Sequence, residues 1–80
     1  MITVRLQYFS QLKDLGGPDR FNVPEGTTVG GLLDALFVAV PALRAWDPHL
    51  LVAVGETYAR RDTPLRPADL VSLMPPVQGG

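Results

Sequence analysis

Thr28-Val-Gly-Gly-Leu-Leu-Asp-Ala-Leu-Phe-Val-Ala-Val40 is the stretch on which the fold turns. Val29, Leu32, Leu33, Leu36, Phe37 and Val40 recur at the three- and four-residue spacing that puts apolar side chains on one face of an α-helix. Thr28 stands where a side-chain oxygen can cap the first turn, and Pro41 ends or kinks the helix. Gly30 and Gly31 each cost about 1 kcal/mol relative to alanine in a helix interior. Burial of the stripe, at roughly 1.5–3 kcal/mol per large side chain, has to outweigh them, so this helix must lie on a partner layer.

The flanking segments supply that layer. Ile2, Val4, Leu6 and Tyr8 alternate with Thr3, Arg5 and Gln7, the period-two pattern of a strand with one buried face. Phe9-Ser-Gln-Leu-Lys-Asp-Leu15 changes to a spacing compatible with one or two helical turns and is stopped by Gly16-Gly17-Pro18. Arg20–Val23 reads as a second strand hairpinned back on the first, closed by the Pro24-Glu25-Gly26 turn. Ala42–His49 is expected to be a connector, with Trp46 covering one edge of the core. Leu51–Val54 and Thr57–Ala59 read as a hairpin turned by Gly55-Glu56. Arg66-Pro-Ala-Asp69 is a tight turn with proline at its second position, leading into a last strand, Leu70–Met74, buried at alternate positions. The expected fold class is α+β, a mixed sheet covered on one face by one main helix. Residues 1–74 form the domain and 75–80 an extended tail.

Composition narrows function by exclusion. Eighty residues hold one small core. The chain is 46% hydrophobic with a formal net charge of −1, which fits a folded domain and gives no electrostatic footprint for nucleic acid. Without cysteine there is no disulfide framework, thiolate metal site or cysteine nucleophile. No apolar run reaches membrane-spanning length, and Met1 leads into strand without a basic leader, so a cytoplasmic protein away from membranes is expected.

Within the body of the chain the candidate sites are weak. Gly26-Thr-Thr-Val-Gly-Gly31 has the glycine spacing of a phosphate loop, but Leu32 and Leu33 stand where lysine and a hydroxyl residue are needed, so a turn entering a helix is the better reading. His49 is the single histidine and has no cysteine with which to share a metal. Ser10 and Ser72 lack a partner base. Arg60 and Arg61 read as solvated surface or as the rim of a contact. No catalytic residue and no metal site is expected from these side chains.

What remains is Pro75-Pro-Val-Gln-Gly-Gly80. The prolines follow a buried strand without a linker, forbid helix and further ladder pairing, and hold the chain extended. Six extended residues reach about 20 Å. Gly79 and Gly80 remove every β-carbon from the tip, as entry into a narrow channel requires, and leave an unhindered carboxylate. A chain without catalytic side chains thus offers its own terminus as the reactive group.

With the tail in view, the order of elements and the ending Asp69-Leu-Val-Ser-Leu-Met-Pro-Pro-Val-Gln-Gly-Gly80 resemble the ubiquitin-like β-grasp sulfur carriers, most of all the small subunits of molybdopterin synthase. Phe9–Leu15 and Val52-Ala-Val-Gly-Glu-Thr57 are similar to that family's segment after the first strand and to its third-strand hairpin. The Gly-Gly end alone is shared with thiazole-pathway carriers and ubiquitin-like modifiers.

The resemblance implies a cycle on the Gly80 carboxylate. An E1-like adenylating enzyme uses ATP to form an acyl adenylate, a sulfur-donor protein converts it to a thiocarboxylate, and the large synthase subunit, which holds the catalytic residues, takes up Pro75, Pro76, Val77, Gln78, Gly79 and Gly80. Sulfur then passes to a pterin precursor in molybdenum cofactor synthesis. No cofactor is bound by the carrier itself. The resemblance also assigns partner docking to Phe9, Tyr58 and Met74; Phe9 and Met74 read equally well as core residues, and Tyr58 replaces the aliphatic residue expected there.

Overall fold

The computed structural model describes residues 1–47 and 49–76. Its elements are β1 (Ile2–Tyr8), a 3-10 helix (Ser10–Leu15), β2 (Arg20–Val23), α1 (Val29–Ala39), a second 3-10 helix (Pro41–Trp46), β3 (Leu51–Val54), β4 (Thr57–Tyr58) and β5 (Leu70–Met74). The five strands form one mixed sheet in the order β2-β1-β5-β3-β4. β1 runs parallel to β5 and antiparallel to β2, and β3 is antiparallel to both β5 and β4.

Helix α1 follows from its stripe. Val29, Leu32, Leu33 and Leu36 are fully buried, Val40 nearly so, and Phe37 packs against the same cluster from its margin. They meet Val4 and Leu6 of β1, Val71 and Leu73 of β5 and Val52 of β3, the residues that alternation turns toward one face. Leu12, Leu43, Leu50 and Leu65 close the sides of this core, and Trp46 packs against it partly buried. Removing one of the buried leucines is worth roughly 2–5 kcal/mol, so the helix is held by packing and not by its propensity.

Two connections differ from expectation, and a third, the expected Arg66–Asp69 turn, gains detail. Pro41 ends α1, but it also opens the 3-10 helix Pro41–Trp46, since proline at a first helical position loses no hydrogen bond. The connector therefore carries its own turns and buries Leu43. The return strand β4 stops at Tyr58, although the Ala59 amide still donates to the Val52 carbonyl at 2.9 Å. In the Arg66–Asp69 turn, Ala68 takes a left-handed φ of 66°. The turn is held by the Arg66 amide on Asp69 Oδ2 at 2.8 Å and by the Ala68 amide on the Thr3 carbonyl at 2.8 Å. These bonds tie the approach to β5 against the start of β1.

Tyr8 secures the other end of β1. Its hydroxyl donates to the Pro18 carbonyl at 2.8 Å, and a β-carbon on Gly17 would lie 2.5 Å from Tyr8 Oη, so the ring occupies the space that glycine leaves open. Burial, with a smaller contribution from the charge of Asp19, raises the phenol to about 12. Because this folded value exceeds the usual tyrosine value of about 10, the stabilisation is complete below pH 10 and is lost as pH rises through 12. In a Tyr58→Phe chain, which keeps Tyr8 as its one tyrosine, absorbance titration is expected to give a midpoint near 12 and thermal stability is expected to fall over the same interval. A midpoint near 10 in the folded protein would contradict the buried hydroxyl.

Candidate functional site

The sheet face turned away from α1 carries the side chains of interest. Register places Gln7 beside Ser72, Ser72 beside Ala53 and Ala53 beside Tyr58, giving one row across four strands. A second row runs through Met74 and Leu51. Phe9 extends it, because the Phe9 backbone is still extended and its amide donates to the Leu73 carbonyl at 3.1 Å, one residue beyond β1. Together Phe9, Tyr58 and Met74 line a shallow depression of about 260 Å³ with Ala53, Ser72, Gly55 and Glu56.

The structure thus gathers the three residues that the sequence singled out. Phe9 is 38% and Tyr58 70% exposed, and Met74 is half-buried on the open face. Phe9 and Tyr58 are therefore surface residues and not core. Large apolar groups grouped on an open sheet face are the composition of an interface centre. Leu51 belongs to the same row, though nothing in its local pattern marks it, since its partner Met74 is set by a long-range register.

The depression lies where β5 ends. β5 is flanked on both sides, by β1 and by β3, so Pro75 and Pro76 leave from an interior strand of the sheet. Pro75 and Pro76 so rooted have a fixed origin, unlike residues that fray from an edge strand. Pro75 and Pro76 are half-buried with no strand assignment, in keeping with the loss of ladder donors. Val77, Gln78, Gly79 and Gly80 lie outside the described residues.

The weak motifs find structural uses. The first amides of α1 are already taken: Val29 donates to the Thr63 carbonyl at 2.9 Å, Gly30 to the Arg61 carbonyl at 2.8 Å and Gly31 to Thr28 Oγ1 at 3.2 Å. A β-carbon on Gly30 would stand 3.1 Å from the Arg61 carbonyl oxygen, which accounts for glycine at that helical position. A phosphate at this helix start would have to displace three protein acceptors. Arg61 also pairs with Asp47 at 2.8 Å, clamping the 60–65 loop to the second 3-10 helix. Ser72 is buried with its hydroxyl 3.5 Å from Gln7 Oε1, and His49 is exposed. Among the described residues no group of three acidic or histidine side chains is placed to hold a metal, and no helix is long and apolar enough to cross a membrane.

A mixed five-stranded sheet grasping one main helix, with its C-terminal strand inside the sheet, defines a ubiquitin-like β-grasp protein. Within that class the chain belongs to the ThiS family, whose model matches residues 6–80, and it is a ubiquitin-like sulfur carrier. It is 34% identical to the molybdopterin synthase sulfur carrier subunit of Mycobacterium tuberculosis, with all of both chains covered. Its fold is similar to that of the small archaeal modifier protein 1 of Haloferax volcanii, with a TM-score of 0.84, 29% identity, and 96% of this chain and 100% of that one covered. It is also similar to a chain in a protein–protein complex of subunits 1 and 2 of the molybdopterin-converting factor of Helicobacter pylori, with a TM-score of 0.67, 25% identity, and 99% and 100% covered.

Because Tyr58 projects from a two-residue edge strand into solvent, Tyr58→Ala is expected to change stability by no more than about 0.5 kcal/mol, whereas Leu73→Ala costs about 2–5 kcal/mol. Denaturant unfolding of the two variants checks this, and a large loss at Tyr58 would make it a structural residue. Inorganic phosphate added to the chain alone is expected to leave the amide resonances of residues 26–31 in place; saturable shifts there would reinstate the phosphate loop.

Proposed function

We propose that the chain is the sulfur carrier subunit of molybdopterin synthase, acting through the carboxylate of Gly80. The observation that carries this reading is the placement of an apolar docking depression at the root of a Pro-Pro-Val-Gln-Gly-Gly tail that issues from an interior strand. A partner seated on Phe9, Tyr58 and Met74 receives the tail at a fixed distance and heading. The similarity to the carrier subunit of M. tuberculosis and to the H. pylori complex supports a large-subunit partner.

The chemistry follows from what a carboxylate lacks. Its oxygens are poor leaving groups, so a carboxylate oxygen first attacks the α-phosphate of ATP on an E1-like enzyme, forming an acyl adenylate and releasing pyrophosphate. Hydrosulfide delivered by a sulfur-donor protein then attacks the carbonyl carbon. The bond to the AMP oxygen breaks, AMP leaves, and the thiocarboxylate remains. In the large subunit, that sulfur attacks a carbon of the pterin precursor and displaces an oxygen substituent, and water then hydrolyses the resulting thioester, leaving the thiol on the pterin and restoring the Gly80 carboxylate. This chain supplies reach, orientation and a narrow tip, and its partners supply the catalytic groups.

A second reading is favoured by the likeness to small archaeal modifier protein 1: the same activated carboxylate joined to an amine of a target protein. The first step is shared, and the acceptor differs. Removal of Gly79 and Gly80 separates the tail from the fold. The truncated chain is expected to keep the thermal stability of the full chain and to lose molybdopterin formation in a reconstituted synthase assay. Retained molybdopterin formation would refute the tail mechanism; protein conjugates formed by the full chain in place of molybdopterin would move it to the second reading.

A further inference from the structure

The open sheet face continues past the apolar rows into a second, charged half. Phe9, Gln7 and Arg5 lie on one side of β1 at two-residue intervals, and Arg5 is paired in register with Arg20 of β2, both exposed. Next to them Thr3 Oγ1 donates to Asn22 Oδ1 at 2.7 Å, which fixes the register of this edge. The Leu6 amide donates to the Asp19 carbonyl at 2.7 Å, while the Arg5 amide turns the other way, to the Asp69 carbonyl at 2.8 Å. Arg5 and Arg20 are therefore a non-hydrogen-bonded antiparallel pair, the kind with the closer side chains and β-carbons about 5 Å apart.

Two guanidinium groups directly opposite on a sheet repel each other and weaken it. Neither arginine forms an ion pair among the described residues, where the ion pair is Arg61 with Asp47, and Asp69 directs its Oδ2 to the Arg66 amide. Arg5 Nε donates to the Ala68 carbonyl at 3.2 Å, which holds this guanidinium on the β5 side of β1, so the two exposed cations stand side by side on the open face with their terminal nitrogens available to a partner. The pair sits about 13 Å along β1 from Phe9, well inside the width of a standard protein interface.

We propose that Arg5 and Arg20 extend the docking face and bind a carboxylate-bearing segment of the protein that receives the tail. The inference rests on the docking role proposed for Phe9, Tyr58 and Met74, with which the pair is continuous. An acidic protein surface is favoured over nucleic acid, because two arginines beside an apolar depression, on a chain of net charge −1, make no phosphate-tracking stripe. The guanidinium pair sets register and association rate, while the apolar rows supply the anchors.

The test uses the full chain and its Arg5→Gln/Arg20→Gln and Arg20→Glu variants. Affinity for the large synthase subunit of the same genome is expected to fall about tenfold in the double variant at low salt and to converge with the parent at high salt. Equal affinity at low salt would overturn the inference and leave the sulfur-carrier reading intact; a parent chain that does not bind that subunit would instead refute the large-subunit partner. A nuclear magnetic resonance titration with poly-L-glutamate, which needs no partner, then decides the charged surface by itself. Shifts are expected to centre on Arg5, Gln7 and Arg20; shifts centred on Arg44, Arg60 and Arg61, or a stronger response of the same residues to duplex DNA, would overturn it. Arg20→Glu is expected to raise the melting temperature by about 2–6 °C while weakening glutamate binding, since it replaces repulsion by a cross-strand pair. A lowered melting temperature would make the arginine pair structural and overturn the proposal.

Discussion

Parallel pairing of two strands requires a crossover between them, and in this protein nearly the whole domain is the crossover between β1 and β5. Joining Ile2–Tyr8 to Leu70–Met74 in register brings the two ends of the sequence together in the middle of the sheet. Everything between them has to fold around that contact. β2 turns back on the outer edge of β1, β3 and β4 add to the far side of β5, and α1 covers the shared face. The pairing also determines where function can sit. Parallel strands end at the same side of the sheet, so the residue after β1, Phe9, and the residues after β5, Pro75 and Pro76, emerge together.

From this follows a division of labour between the two sheet faces. One face is spent on stability: Val4, Leu6, Val71 and Leu73 disappear against the leucines of α1. The other has no covering layer, and it carries Phe9, Tyr58, Leu51 and Met74 toward the tail end and the Arg5–Arg20 pair toward the opposite end. An antiparallel meander would normally leave such a face polar. Here it carries large apolar groups and two cations without an ion pair among the described residues, and that pattern is what motivates the proposed partner surface. In the proposed function the reactive group belongs to neither face but to the terminus, whose carboxylate needs only activation from outside.

Much of this was legible from the residues. The apolar stripe of Thr28–Val40 and the strict alternation of Ile2–Tyr8 specify their elements because local periodicity and tertiary burial agree there. Phe9 was less legible: strand alternation carried one residue past Tyr8 puts it on the side of Thr3, Arg5 and Gln7, but the helical spacing of Phe9–Leu15 left core and surface equally open. The connections were less legible. Pro41 marks a helix end in sequence, but only packing of Leu43 shows that the chain re-enters a 3-10 turn. Gly30 looked like a local cost, and its reason, the close approach of the Arg61 carbonyl, comes from a loop thirty residues away. Leu51 beside Met74 and Arg5 against Arg20 were invisible for the same cause, since a strand announces which face a residue takes but not which residue of another strand lies beside it.

The proposed working group of this protein is its terminal carboxylate. Intact-mass measurement of the full chain after incubation with an E1-like adenylating enzyme, ATP and a sulfur donor tests it most directly. The account predicts a gain equal to exchange of one oxygen for sulfur, localised by fragmentation to Gly80 and absent without ATP. An unchanged mass with an enzyme active on another carrier, or sulfur found on any other residue, would contradict it.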